Sequence, residues 1–329
     1  PRSLPRSLPR SLPPLSYSAR PRSSSPPPPP SWSSFDYAAR PKAAFDAAPA
    51  PRPPCLVPAA SVPAAISALR PFVSSPRQEL LSEVLERRCW EVCFLFESPA
   101  NPSNVYACLR TLDSFGVQSV LIAEPPGAQL SDDPLGALDA GADPSRQARP
   151  PSRRVSKATK VAAGSAQWLD VSLKRGPLEE TVGELKEGGW EVLATAVDER
   201  ATDVREVDWP GRRGAPPGRG GKVCVVMGNE ESGVSAELLS LCDGSFFLPM
   251  RGFAESYNLS VAASLTCAYM SSAGVLAPSK GKEEGGDWER AGRDEQRERE
   301  TELRWLMTSL PKANMAEQIL KRAGIEIVM

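Results

Sequence analysis

From Pro76 onward, short apolar runs alternate with stretches of helical period, and this alternation limits the possible folds more than any other feature of the chain. RQELLSEVLERR has helical spacing behind a proline suited to a first helical turn. EVCFLFE reads as a buried strand. NPSNVYACLRTLDSFG has apolar residues at Val105, Leu109, Leu112 and Phe115, a cap-like Asn or Ser at its start, and Gly116 as its stop. QSVLIAE is a second strand. After WLDVSL the order continues with PLEETVGELKEGG as a helix, WEVLATAV and KVCVVMG as strands, SAELLSLC as a helix and SFFLPM as a strand. Strands separated by helices imply parallel pairing through crossover connections, so the expected architecture is a three-layer α/β/α sandwich around a parallel sheet.

The flanks differ from this body. Residues 1–75 hold nine Lys or Arg against Asp36 and Asp46, in a Pro-, Ser- and Ala-rich text that cannot bury enough apolar area to offset its ordering entropy. This head is expected to be disordered. Its basic, Ser-rich, acid-poor character suits an organellar transit segment for chloroplast or mitochondrion, the alternative being a plain tail on a cytoplasmic protein. Residues 76–276 form the expected folded domain. Residues 277–329 read as a charge-dense linker, or solvated helix, from Lys280 onward, followed by two short helices broken at Pro311. Residues 125–165 and GRRGAPPGRGG at 211–221 read as loops.

The chain has no histidine, which excludes histidine-based acid, base and nucleophile arrangements. Seven cysteines form no CxxC pair and several lie inside apolar runs such as VCVVM, so zinc is not expected and the thiols read as reduced and structural. No window approaches the roughly 18 apolar residues of a membrane span.

Three segments at the ends of expected strands carry the polar residues that chemistry would need: NPSNVYACLR at 101–110, MGNEESGVS at 227–235 and LPMRGFAESYNLS at 248–260. Ligands bind at such edges in open α/β sheets. GNEESG lacks the GxGxxG of a dinucleotide site. In this order the three segments, with EVLERR before them and LMTSLPKANMAEQILKRAGI after, resemble the motifs of the SpoU/TrmH family of SPOUT RNA 2′-O-methyltransferases.

The resemblance implies a deep trefoil knot at the carboxyl side of the sheet, S-adenosylmethionine held in the knot, and a homodimer that completes each site. It also implies ribose 2′-O-methylation of tRNA, at a D-loop guanosine. Ribosomal RNA methylation and a non-catalytic RNA-binding assembly factor remain open alternatives. Thr195, Gly228, Leu248 and Tyr257 fall at cofactor-contacting positions, although the family usually has Leu where this chain has Tyr257. Gly228 and Gly252 would let the backbone turn tightly or approach a ligand.

Arg110 matches the catalytic arginine of the family, as a base or as an electrostatic anchor. Asn104, six positions upstream, would orient Arg110 or the substrate. Glu230, Ser256 and Asn258 would hold the motif loops, Asn258 alternatively being no more than a helix N-cap. Arg88, and less directly Arg77, match basic residues placed near RNA. The body from 76 to 277 carries twenty basic and twenty-seven acidic residues, yet RQARPPSRRVSKATK at 146–160 carries six basic residues and no acid. Arg153, Arg154 and Lys157 in that stretch are candidate RNA contacts, the alternative being a solvated loop. The basic cluster that the family has after its third motif is replaced here by SSAGVLAPSKG.

Overall fold

The computed structural model describes residues 57–124, 164–211, 221–276, 280–283, 286–289, 295–312 and 314–327. Its elements run α1 (Val62–Leu69), α2 (Ser75–Glu86), β1 (Cys89–Glu97), α3 (Pro102–Ser114), β2 (Val117–Glu124), β3 (Asp170–Arg175), α4 (Leu178–Glu187), β4 (Trp190–Thr195), β5 (Thr202–Asp203), β6 (Lys222–Met227), α5 (Ala236–Leu241), β7 (Gly244–Phe247) and α6 (Leu259–Ser272). A short antiparallel pair follows, β8 (Lys280–Glu283) with β9 (Gly286–Glu289), and then α7 (Glu295–Thr308) and α8 (Met315–Arg322).

The first seven strands form one sheet in the order β3-β2-β1-β6-β4-β7-β5, with every neighbouring pair parallel. A central parallel strand must be apolar on both faces, because crossover helices cover both. β1 meets this demand: all nine of its residues are buried. Val92, Phe94 and Phe96 point into a core shared with Leu109 and Leu112 of α3 and Ala263 and Cys267 of α6. Cys93 and Leu95 point the other way, against Val182 of α4 and Leu238 of α5. The six described cysteines are free, and burial pushes the Cys108 and Cys242 thiols up to about 12, so both remain protonated thiols at neutral pH.

A second core corrects the expected boundary at residue 75. Val62, Ala65, Ile66 and Leu69 of α1 are buried with Leu303, Trp305 and Leu306 of α7 and Ile319 and Leu320 of α8. The apolar spacing of α1, set in a text rich in Pro, Ser and Ala, finds its partner at the other end of the chain. Residues 1–56 lie outside the described residues.

The charged run before Pro311 is likewise no uniformly solvated face. Arg297 and Arg304 of α7 both bind the Asp170 carboxylate at the start of β3, and Trp305 Nε1 donates to the Trp168 carbonyl at 2.9 Å. These contacts lie at the amino ends of β2 and β3. No helix among the described residues is long and apolar enough to cross a membrane.

Candidate active site

β1 and β6 are neighbours in the sheet, but the chain leaves them toward opposite sides, β1 to β2 and β6 to the strands beyond. A crevice therefore opens outside their carboxyl ends, the place where such sheets bind ligands. Two loops meet there. Asn229 Nδ2 donates to the Ser98 carbonyl at 2.7 Å, and the Asn229 side-chain oxygen accepts from the backbone N–H groups of Glu231 and Ser232. Paired backbone bonds of 2.9 Å between Asn229 and Gly233 close the loop on itself. The closure needs Gly228: a Cβ there would lie 2.1 Å from the Gly233 carbonyl carbon. Gly252, by contrast, has nothing within 4 Å of where a Cβ would stand, so neither crowding nor a left-handed turn requires it.

Glu230 joins the loop to α3. Its carboxylate accepts from the backbone N–H groups of Ala100, at 2.8 Å, and Asn101, at 3.2 Å, and from Asn104 Nδ2 at 2.9 Å. Partial burial pushes the Glu230 carboxyl up, but the bonds from Asn104 and from the backbone outweigh it and hold the group below its ordinary value. The other half of the Asn104 amide, Oδ1, accepts from Asn258 Nδ2 at 3.1 Å. Asn258 also caps α6, its Oδ1 accepting from the Ser260 N–H at 2.9 Å. Asn258 is thus both the N-cap of α6 and a hydrogen-bond partner of Asn104. Three residues from three distant segments make one polar chain, Glu230 to Asn104 to Asn258.

Asn104 does not orient Arg110. Six positions at about 100° each leave their side chains roughly 120° apart around the helix, and the Asn104 amide is occupied by Glu230 and Asn258. Arg110 is exposed and its guanidinium makes no hydrogen bond or ion pair with any described residue. Thr111, beside it, is hydrogen-bonded to Ser264 of α6 at 3.2 Å. Ser256 is exposed in the 251–258 loop and makes no hydrogen bond to the other candidates.

The candidate cofactor residues occupy the carboxyl edge of adjoining strands. Thr195 ends β4, its Oγ1 donating to the Val226 carbonyl of β6 at 2.9 Å, and it pairs in register with Phe246 of β7. Gly228 follows β6, and Leu248, 8% exposed, follows β7. Tyr257 is partly exposed, and its hydroxyl donates to the Pro249 carbonyl at 3.2 Å, tying the two ends of the intervening loop. Residues 250–257 make no backbone hydrogen bond to any described residue. An apolar floor under free backbone donors and acceptors fits an adenine, which asks for flat apolar contact and a few hydrogen bonds at its edge.

Two candidates for RNA contact are placed elsewhere. Arg88 is 2% exposed, ion-paired to Asp113 at 2.6 Å and stacked over Trp305, so it cannot reach a phosphate; burial corrects that assignment. Arg77 lies over the Trp168 ring at 4.8 Å and donates to Ser309 Oγ at 3.3 Å, which ties it to the terminal helices. Arg153, Arg154 and Lys157 lie outside the described residues. The residue that sequence reasoning passed over is Asn229, which ties the two loops. Its place between Gly228 and Glu230, where an Asn side chain can bond to the backbone two residues on, was the available signal.

Residues 146–268 match the SpoU rRNA Methylase family. The chain is 34% identical over 190 residues to the tRNA (guanosine(18)-2'-O)-methyltransferase of Thermus thermophilus, covering 57% of this chain and 78% of that protein. The chain belongs to the SpoU family. It is 30% identical over 189 residues to the enzyme of the same name from Escherichia coli K12, covering 57% of this chain and 66% of that one, so the chain spans about two thirds of the length of that SpoU relative. Among solved structures, the A. aeolicus TrmH/SpoU tRNA modifying enzyme is 25% identical with a TM-score of 0.45, covering 64% of this chain and 90% of that chain.

Proposed function

We propose that this SpoU-family chain is an S-adenosylmethionine-dependent RNA ribose 2′-O-methyltransferase acting on tRNA at a D-loop guanosine, as the names of its Thermus and Escherichia relatives describe. One observation carries the reading: Asn104, Glu230 and Asn258, one from each motif, are hydrogen-bonded into a single cluster at the crevice where β1 and β6 diverge. Ribosomal RNA is the second reading, favoured by the family's own description.

S-adenosylmethionine supplies a methyl group on a sulfonium that is already a good leaving group, so no covalent enzyme intermediate is required. Thr195, Gly228, Leu248 and Tyr257 would hold it, through the apolar strand edge and the free backbone of the 250–257 loop. The protein must still place a ribose hydroxyl and help its proton to leave. A guanidinium remains protonated in proteins, so Arg110 serves as an anchor and not as a base. Exposed and unpartnered, it can grip the phosphate beside the target ribose and stabilise charge developing on the oxygen. Glu230, Asn104 and Asn258 fix the loops around it, and Ser256 supplies a polar edge.

The same reading includes a knotted path at this edge and a second copy packed against it. Phe253 is fully exposed, Val197 79% and Val261 44%, apolar surface that a partner subunit would cover. Within the same reading Arg153, Arg154 and Lys157 are RNA contacts, and the basic, acid-poor composition of the residues before α1 supports a location in chloroplast or mitochondrion.

Transfer of labelled methyl from S-adenosylmethionine to tRNA and to rRNA, with calorimetric cofactor binding beside it, tests the reading. Arg110→Ala should abolish transfer and leave cofactor affinity within about twofold. Equal loss of both contradicts the role given to Arg110, label in rRNA alone selects the second substrate, and RNA binding without transfer to either marks an assembly factor.

A further inference from the structure

Arg88 is the most completely buried cation among the described residues, and neither the fold nor the chemistry derived so far explains a charge at that point. It stands in the turn between α2 and β1, at the amino end of the sheet and far from the crevice. Its Nη2 donates to Asp113 Oδ1 at 2.6 Å and its Nη1 to the Asp113 main-chain oxygen at 3.3 Å. Asp113 belongs to the last turn of α3, where backbone carbonyls lack helical partners and a cation is favourable. The Arg88 guanidinium also lies 5.2 Å from the ring centroid of Trp305 on α7, within cation–π range.

Trp305 is itself fixed, 1% exposed, with its Nε1 donating to the Trp168 carbonyl at 2.9 Å and its ring edge-on to Trp168 at 6.1 Å. The turn that ends α3 is pressed on the turn that holds Arg88: a Cβ at Gly116 would stand 2.8 Å from the Arg87 carbonyl oxygen. Arg88 Nε has no hydrogen-bond partner among the described residues. Packing alone would be served better by an apolar side chain of similar volume, since desolvating a guanidinium is costly.

We propose that Arg88 is a positioning residue: by gripping both the side chain and the carbonyl of Asp113 while stacked on Trp305, it couples the docked terminal helix α7 to the helix that carries Asn104 and Arg110. α3 is then held at both ends, by Glu230 and Asn258 at the crevice and by Arg88 at the opposite edge. Arg110 precedes Asp113 by three residues, less than one turn, so a shift of the Asp113 end displaces Arg110 directly. The inference rests on the reading of Arg110 as the group that steers the ribose hydroxyl.

The test uses the full chain with Arg88→Lys, Arg88→Met and Asp113→Asn, each alone and combined with Arg110→Lys, assayed well below the unfolding temperature of the variants. Misplacement of a reacting group by about 1 Å can cost on the order of a hundredfold. Each single variant should lower kcat by about tenfold or more, with the KM for tRNA and the calorimetric Kd for S-adenosylmethionine within about twofold of the parent. In the Arg110→Lys background the further loss should shrink below about threefold, because the group being positioned is already impaired. A rise in KM for tRNA at unchanged kcat would make Arg88 an RNA ligand and overturn the proposal. Equal fold-losses in both backgrounds would reduce it to a loss of folded protein and overturn it as well. Should Arg88→Met fail to fold, Asp113→Asn, which retains shape and an acceptor, is expected to give the same kcat-only loss. Parental rates in Arg110→Lys alone would count against the reading of the active site, while a kcat-only loss with Arg88→Lys would still support the coupling of α7 to α3.

Discussion

Asn104 uses one end of its amide to donate to Glu230 and the other to accept from Asn258, so the position needs a side chain that both donates and accepts. Asn104→Asp should set two carboxylates against each other, raise the Glu230 value and loosen α6. The expected result is a fall in S-adenosylmethionine affinity of about tenfold or more, read by calorimetry. The carboxylate itself gives a pH signature. Because its folded value is depressed, Glu230 contributes stability that is present in full above its unfolded value, 4.5, and is lost as pH falls through the lowered folded value. The stability gap between the parent and Glu230→Gln, measured by denaturant unfolding, should therefore be constant at neutral pH and close only in acid. Had the group been raised instead, the gap would begin to close above pH 4.5. The three members were legible, since each stands in one of the motifs, but their bonding to one another was not, because Asn104 reads in the sequence as a partner of Arg110 or the substrate. The burial of Arg88 was not: in LERRC it follows a helical run and matches basic residues placed near RNA, and only Asp113 and Trp305, both distant along the chain, explain its burial.

The strands that the sequence revealed lie inside the sheet, β1, β2 and β6 buried almost throughout and β4 and β7 buried in part, and their apolar runs leave little choice. β3 and β5 escaped notice because they form the sheet edges, β3 half-exposed along its length and β5 two residues long. α1 escaped for another reason. Val62, Ile66 and Leu69 have helical spacing, but composition around them argued for disorder. Leu69 is fully buried between α1 and the terminal helices, so Leu69→Ala should cost about 2–5 kcal/mol in thermal or denaturant unfolding. Removing residues 1–75 should be more damaging still, since it strips the partner from α7 and α8. An unchanged melting curve for that truncation would restore the boundary at residue 75.

At the scale of the whole molecule, charge is the problem that the proposed action on RNA poses for a chain of this composition. With a body that is net acidic, phosphate contacts cannot come from a uniformly basic face, and the acid-free stretch 146–160, with its six basic residues, falls outside the described residues. Replacing Arg153, Arg154 and Lys157 with Gln should weaken RNA binding and flatten the slope of log K against log salt by about 2 to 3. An unaltered slope would remove that stretch from the interface.

The second core joins residues from the two ends of the folded chain, as in the Arg70 to Glu302 bond across 232 positions. During synthesis α1 leaves the ribosome well before α7 and α8. At about 5–20 residues per second, its apolar face waits on the order of tens of seconds for them. The α/β layers can close in that interval, yet the bottom of the molecule cannot. Newborn chains should therefore pass through a stage in which a finished sheet carries an unsatisfied greasy stripe, an obvious handhold for a chaperone.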